Sequence, residues 1–196
     1  MALLHDLTPL SLSLVGLATL VALAYVGLVA AGIRGRIRGI KPLPALLLAT
    51  VNPGLAPVLV CWAMGDALLL DKDRFFLHGL GAFLIGHLWF IAIVGMSTGV
   101  SLPALAFGVS LAAGMLALLW PGLRPKLRAP VALYALSLAG VLAAAAPAGG
   151  GVGAGLFLLS DTILAWNRFR KPLPRGDLLV MLTYYAAVFA IALGCR

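Results

Sequence analysis

Two aspartates lie where an apolar chain has no cheap place for them. Asp66 and Asp161 each fall inside a long hydrophobic run, one to two helical turns from its charged end, and no other acid interrupts a run. A carboxyl at the centre of a bilayer helix costs about 2.5–3.5 kcal/mol on insertion scales, and less at shallower depth. Two such residues at matching depth on different helices can serve one cavity as proton donor and base, the pair that acid-catalysed hydration needs. The competing account makes each a structural acid, hydrogen-bonded to Ser160, Thr183 or a tyrosine, or paired with a loop arginine. His87 lies deeper in its run, Tyr184 and Tyr185 share the last one, and Asn167 directly follows the run that carries Asp161. Only His5, His78 and His87 carry imidazoles, and neither they nor Cys61 and Cys195 have metal-ligand spacing. No metal is expected, and the cysteines are read as packing residues.

The elements that position these residues follow from composition. Hydrophobic residues make up 63% of the 196 residues and charged ones only 10%, against roughly a quarter charged in a soluble domain. That excludes a soluble enzyme, a disulfide scaffold and a disordered chain. The predicted class is an all-α, polytopic membrane bundle in which apolar faces meet lipid. Apolar runs at about 10–33, 75–94, 102–120, 130–146, 149–166 and 178–195 each suit one span. The first is a retained helix rather than a signal peptide, because no Lys or Arg precedes it.

The stretch 42–70 is long for one span and tight for two, with Asn52-Pro53-Gly54 at its middle as a turn. Charge decides it. Two crossings bring the basic loops at 34–41, 71–74, 124–128 and 168–175 to one side, which collects thirteen of the fourteen Lys and Arg residues. The expectation is therefore eight transmembrane helices in one domain over residues 1–196. Basic loops face the cytoplasm, both termini face away from it, and the second and third helices are short, with a re-entrant second helix as the alternative. A net charge of +8 distributed in this way points to an anionic leaflet and not to nucleic acid.

A weak internal echo accompanies this topology. Lys41-Pro42-Leu43-Pro44 recurs as Lys171-Pro172-Leu173-Pro174, and Gly65-Asp66 as Ser160-Asp161. Both tetrads place a cation and two prolines where a helix begins. Positive-inside orientation accounts for the lysines, and a lipid phosphate is the alternative partner.

Lys41-Pro42-Leu43-Pro44, Gly65-Asp66, Gly79 with Phe83 and His87, Phe157, Ser160-Asp161, Leu164-Ala165, Asn167, Phe169 and Tyr184-Tyr185 together resemble the YhhN-type lysoplasmalogenases. The likeness runs in order from Lys41 to about Phe189. It implies an integral membrane hydrolase of eight helices that cleaves the vinyl-ether bond of a lysoplasmalogen, releasing a fatty aldehyde and glycerophosphoethanolamine or glycerophosphocholine. The expected partners are thus a lysophospholipid, water and membrane lipids, in a bacterial inner membrane, with no cofactor. Asp66 and Asp161 are the expected catalytic pair, and His87, Tyr184, Ser160 and Asn167 support them. Lys41, Arg168 and Lys171 are expected at the phosphate headgroup. Phe90 and Ala187 stand where the family often has Tyr and Gln, which predicts fewer polar contacts near the site. The rival reading is a small proton-coupled transporter or lipid carrier using the same two acids; a non-catalytic scaffold is a third.

Overall fold

Residues 8–33, 39–71 and 73–195 are described by a computed structural model. His5, Asp6, Arg34, Arg36, Arg38 and Lys72 lie outside the described residues. Among the described residues every regular element is helical: α1 (Pro9–Ala30), α2 (Leu43–Val51), α3 (Ala56–Leu68), α4 (Phe76–Thr98), α5 (Leu102–Leu119), α6 (Pro125–Ala145), α7 (Gly151–Phe169) and α8 (Gly176–Gly194). Six segments are long and apolar enough to cross a membrane: Pro9–Ala30, Pro53–Asp71, Phe76–Thr98, Leu102–Gly122, Pro125–Ala145 and Gly176–Gly194. The chain is an integral membrane protein.

The helix starts are written locally. Pro9, Pro103 and Pro125 fall in first turns, where the missing N–H has no partner to lose. The side-chain oxygens of Thr8 and Ser101 accept from the backbone N–H groups of Ser11 and Ala104 and so satisfy otherwise orphaned donors. Helix α6 begins at Pro125 and carries Pro130 inside it, five residues before the start expected from Pro130.

The second helix is short, as expected, and the structure shows at which level it stands. This helix has nine residues, about 14 Å of rise against a hydrocarbon core of about 30 Å. Two contacts with α8 show its level. The backbone carbonyl of Lys41, just before α2, accepts the hydroxyl of Tyr185 at 3.0 Å, halfway along α8. Asn52, just after α2, donates its amide to the Ala192 carbonyl at 2.9 Å, near the end of α8. Helix α2 therefore accompanies only the second half of α8, beginning in the middle of the bundle. The turn expected at Asn52-Pro53-Gly54 is present as a 3-10 turn, with the Asn52 side chain accepting from the Leu55 N–H.

Contacts between connections define two ends of the bundle. At one end Arg168 meets Asp73, Phe76 packs edge-to-face on Phe169, and the Gly122 backbone lies against the Phe169 carbonyl. At the other end the Ser101 N–H donates to the Ala143 carbonyl and Gly149 lies against Gly194. Arg74, Arg124, Lys126, Arg128, Arg168, Arg170, Lys171 and Arg175 all belong to the first, basic end.

Beyond the middle of the bundle the interior is filled. Trp62, Phe90, Phe157, His87 and Val141 are fully buried. Trp62 stacks on Phe90 and packs against Phe157, with centroids 6.3 and 4.8 Å apart. Small residues let the helices approach, as expected where lipid supplies no hydrophobic drive between them. A Cβ on Gly86 would fall 2.6 Å from the Trp62 indole, and one on Gly153 would fall 2.9 Å from the Ile191 backbone.

Candidate functional site

Asp66 is on α3, Asp161 on α7, Tyr184 on α8 and Tyr134 on α6, and all four line one cavity of about 100 Å³ together with Lys41 and Ser160. The two acids expected from the sequence thus meet, although 95 residues of chain separate them.

Asp66 is 1% exposed and engaged from two sides. The Lys41 Nζ stands 2.9 Å from Oδ1, and the Tyr184 hydroxyl donates to Oδ2 at 2.6 Å. Tyr185 in turn fixes the Lys41 backbone. The half-length helix explains how a lysine gets there, since the chain entering α2 delivers Lys41 to the bundle interior. Lys41 is 5% exposed. The expectation of a headgroup cation at the interface is therefore corrected: burial leaves this ammonium only internal partners, and Asp66 supplies the neutralising charge.

Asp161 is half-buried and held differently. The Tyr134 hydroxyl donates to its Oδ2 at 2.5 Å, a length typical of a hydrogen bond to an ionisable oxygen. Tyr134 is the functional residue that sequence reasoning missed. Its signal was faint, a phenol and a serine three residues apart inside the apolar run of α6, on one face of the helix.

His87 does not line the cavity. Its Nδ1 lies 2.9 Å from the Ser137 hydroxyl, and that hydroxyl donates its proton to the Tyr134 carbonyl at 2.7 Å. Ser137 has one proton and gives it to Tyr134, so the imidazole donates through Nδ1, and its Nε2 is buried with no hydrogen-bond partner among the described residues. Its ring packs 5.1 Å from that of Tyr134 and 5.3 Å from that of Phe157. His87 is thus a buried support for Tyr134 and lies outside the cavity lining. Ser160 donates to the Val180 carbonyl, tying α7 to α8 beside Asp161.

The remaining sequence candidates separate. Arg168 lines the cavity at its basic end and pairs with Asp73 at 2.9 Å. It also lines a second, larger cavity with Asn167, Arg175 and Asp177, and the two cavities share Leu69, Phe76, Leu164 and Arg168. Asn167 lies within the last turn of α7, and its Oδ1 accepts from the Leu173 N–H, folding the next connection back. Lys171 is exposed and lines neither cavity. The two Lys-Pro-Leu-Pro tetrads therefore have different fates. Lys41 is carried inward to Asp66, whereas Lys171 stays on a connection and Asp161 takes a tyrosine. Phe90 and Ala187 are fully buried outside the cavity, so their departure from the family pattern removes no polar group from its lining. Among the described residues no three His, Cys, Asp or Glu side chains gather as metal ligands.

Over residues 17–195 the sequence matches the YhhN family. The chain belongs to that family. It is similar to lysoplasmalogenase TMEM86B of Homo sapiens, 39% identical over 167 residues that cover 79% of this chain and 73% of the human one. The same-named protein of Sus scrofa is 43% identical over 145 residues, 71% of this chain and 62% of its own. Human lysoplasmalogenase TMEM86A is 35% identical over 153 residues, 69% of this chain and 62% of its own. The chain thus spans between three-fifths and three-quarters of the length of these YhhN relatives. No solved structure shows a significant match. In this YhhN chain the family-like polar residues Lys41, Asp66, Ser160, Asp161 and Tyr184 line the cavity together with the family-like Phe83, Leu164, Ala165 and Phe169.

Proposed function

We propose that this chain is a lysoplasmalogenase, an ether hydrolase that cleaves the vinyl-ether bond of a lysoplasmalogen. One observation carries the reading: two carboxyls, each held by a tyrosine hydroxyl and only one paired with a cation, line a single mostly apolar cavity. The lysoplasmalogenase names of its relatives support the same chemistry.

In the proposed reaction Asp161, which makes no direct ion pair among the described residues, donates a proton to the alkenyl carbon distal to the ether oxygen. The electron pair of the double bond takes that proton, leaving an oxocarbenium ion. Asp66, kept as a carboxylate by Lys41, stabilises the cation and removes a proton from the attacking water. The resulting hemiacetal collapses with transfer of its hydroxyl proton to the departing glycerol oxygen. The products are a fatty aldehyde and a glycerophospho-base, and the proton that Asp66 took from water passes to Asp161 within the cavity, returning both carboxyls to their starting states. Tyr184 and Tyr134 fix the orientation of the two carboxyls. The second cavity, opening at Arg168, Arg175 and Asp177, receives the phosphate headgroup and supplies water. Arg168 is retained as a headgroup contact, and Arg175 is added to it.

The proposed topology places the basic end in the cytoplasm of a bacterial inner membrane, as the positive-inside rule requires. Residues 1–196 then act as one bundle of eight helices with both termini on the far side and α2 confined to the outer half.

The test is aldehyde release from a lysoplasmalogen by purified protein in detergent, beside folded Asp66→Asn and Asp161→Asn variants. Release by the wild type that both substitutions abolish supports the mechanism. Full activity in either variant overturns the pair. No release from the wild type with either headgroup favours proton-coupled transport by the same acids.

A further inference from the structure

The cavity has walls that differ in kind, and the difference points to where the hydrocarbon tail of the substrate lies. Asp161 stands eight residues from the end of α7 at Phe169, and Leu111 stands eight residues from the end of α5 at Leu119. Both are therefore about 12 Å from the basic end, well inside the hydrocarbon. Leu111 lines the cavity and is also 45% exposed on the outer surface of the bundle, so at the depth of the acids the cavity reaches the lipid.

The way straight on is closed. Past Leu138 and Leu158 the interior is occupied by Phe157, Trp62, Phe90 and Val141, all fully buried. The way out at the headgroup level is also closed between α5 and α7, because there the Gly122 backbone lies directly against the Phe169 carbonyl. Away from that contact the two helices touch each other sparsely and both pack on α6. The seam between them is pinned at the basic end by that contact, and further in Leu111 of α5 and Asp161 of α7 both line the cavity. Ala112 and Ala135 line the cavity near the depth of the acids, and Ala165, Met115 and Leu116 line it about one turn nearer the basic end.

We infer that the seam between α5 and α7 is the tail site, through which the single alkenyl chain of the lysolipid projects from the acids sideways into the bilayer. The inference rests on the hydrolase reading. A chain already in lipid passes into such a slot without crossing water, because lipid tails are as apolar as the leucines that line it. The slot therefore selects by shape. It admits one linear chain, and it lets the aldehyde product return to the bilayer while the glycerophospho-base leaves by the basic end.

The test uses vinyl-ether lysolipids of one headgroup with a sixteen-carbon or a four-carbon alkenyl chain, assayed on wild type, Ala165→Phe and Ala135→Phe. Both alanines are half-buried and line the cavity, and neither side chain supplies a hydrogen bond to either carboxyl. We expect kcat/KM for the long chain to fall at least tenfold while that for the short chain stays within twofold. Equal effects on both chains, or none on either, overturn the tail site while leaving the hydrolase intact. No aldehyde from either chain in the wild type fails the hydrolase reading instead. A second measurement needs no variant: a lysolipid carrying a diazirine at mid-tail should label wild-type residues 111–116 and 158–165. Labelling concentrated on α1, α3 or α8 overturns the proposal.

Discussion

Removing the Lys41 ammonium while leaving Asp66 in place is the sharpest test of how the site is held. In Lys41→Met the carboxyl, 1% exposed, keeps only the Tyr184 hydroxyl. Taking one partner from a buried pair costs about 3–5 kcal/mol, because the other charge stays buried and uncompensated. For a chain of this length that lowers the melting temperature by roughly 6–20 °C. Asp66→Leu strands the ammonium and should cost a similar amount. The double variant strands neither charge; it leaves the Tyr184 hydroxyl without an acceptor, worth about 1–3 kcal/mol. Its loss is therefore smaller than that of either single variant, whereas independent sites would add to about 6–10 kcal/mol. The assay is thermal unfolding of the four purified proteins in one detergent, with aldehyde release measured alongside. All three variants should be inactive, since each lacks the carboxylate or its counter-ion. A double variant as unstable as the sum of the singles would refute the claim that the pair is a neutralised unit.

Tyr134→Phe removes the hydroxyl from Asp161 and little volume; a hydrogen bond to the carboxylate formed as Asp161 gives up its proton is worth about 1–1.5 kcal/mol more than one to the neutral acid, so kcat should fall roughly 5- to 13-fold, with melting lowered by only about 1–6 °C. Unaltered kcat would remove Tyr134 from the site. Gly86→Ala drives a Cβ to within 2.6 Å of a Trp62 ring that is boxed in by Phe90 and Phe157, and should destabilise by about 1–3 kcal/mol. Gly81→Ala in the same helix meets nothing within 4 Å and should stabilise by up to about 1 kcal/mol; equal melting temperatures for the two would contradict the packing described.

Much of the site was legible because lipid makes polarity expensive. Asp66 and Asp161 stood out as the acids inside apolar runs, and the structure brings both to one cavity with Tyr184. Helix positions were legible for the same reason, from run length and from prolines and hydroxyls at the starts. What escaped was partnership. Lys41 and Lys171 begin identical tetrads, and nothing within four residues distinguishes the one that pairs with an acid inside the bundle from the one that stays outside. Tyr134 resembled an ordinary aromatic in a membrane helix until α7 was seen to set Asp161 against it.

Composition and charge placement by themselves determined that the chain is a helical membrane protein and which acids it keeps there, because each of those choices has a local energetic cost. Tertiary structure alone decided where α2 stands along α8, that Lys41 pairs with Asp66, that His87 serves Tyr134 through Ser137, and that Tyr134 and Leu111 join the two acids around one cavity. Each of these depends on how helices distant in sequence are offset along one another, and an apolar surface packing in lipid leaves no periodic signal of that offset in any single segment.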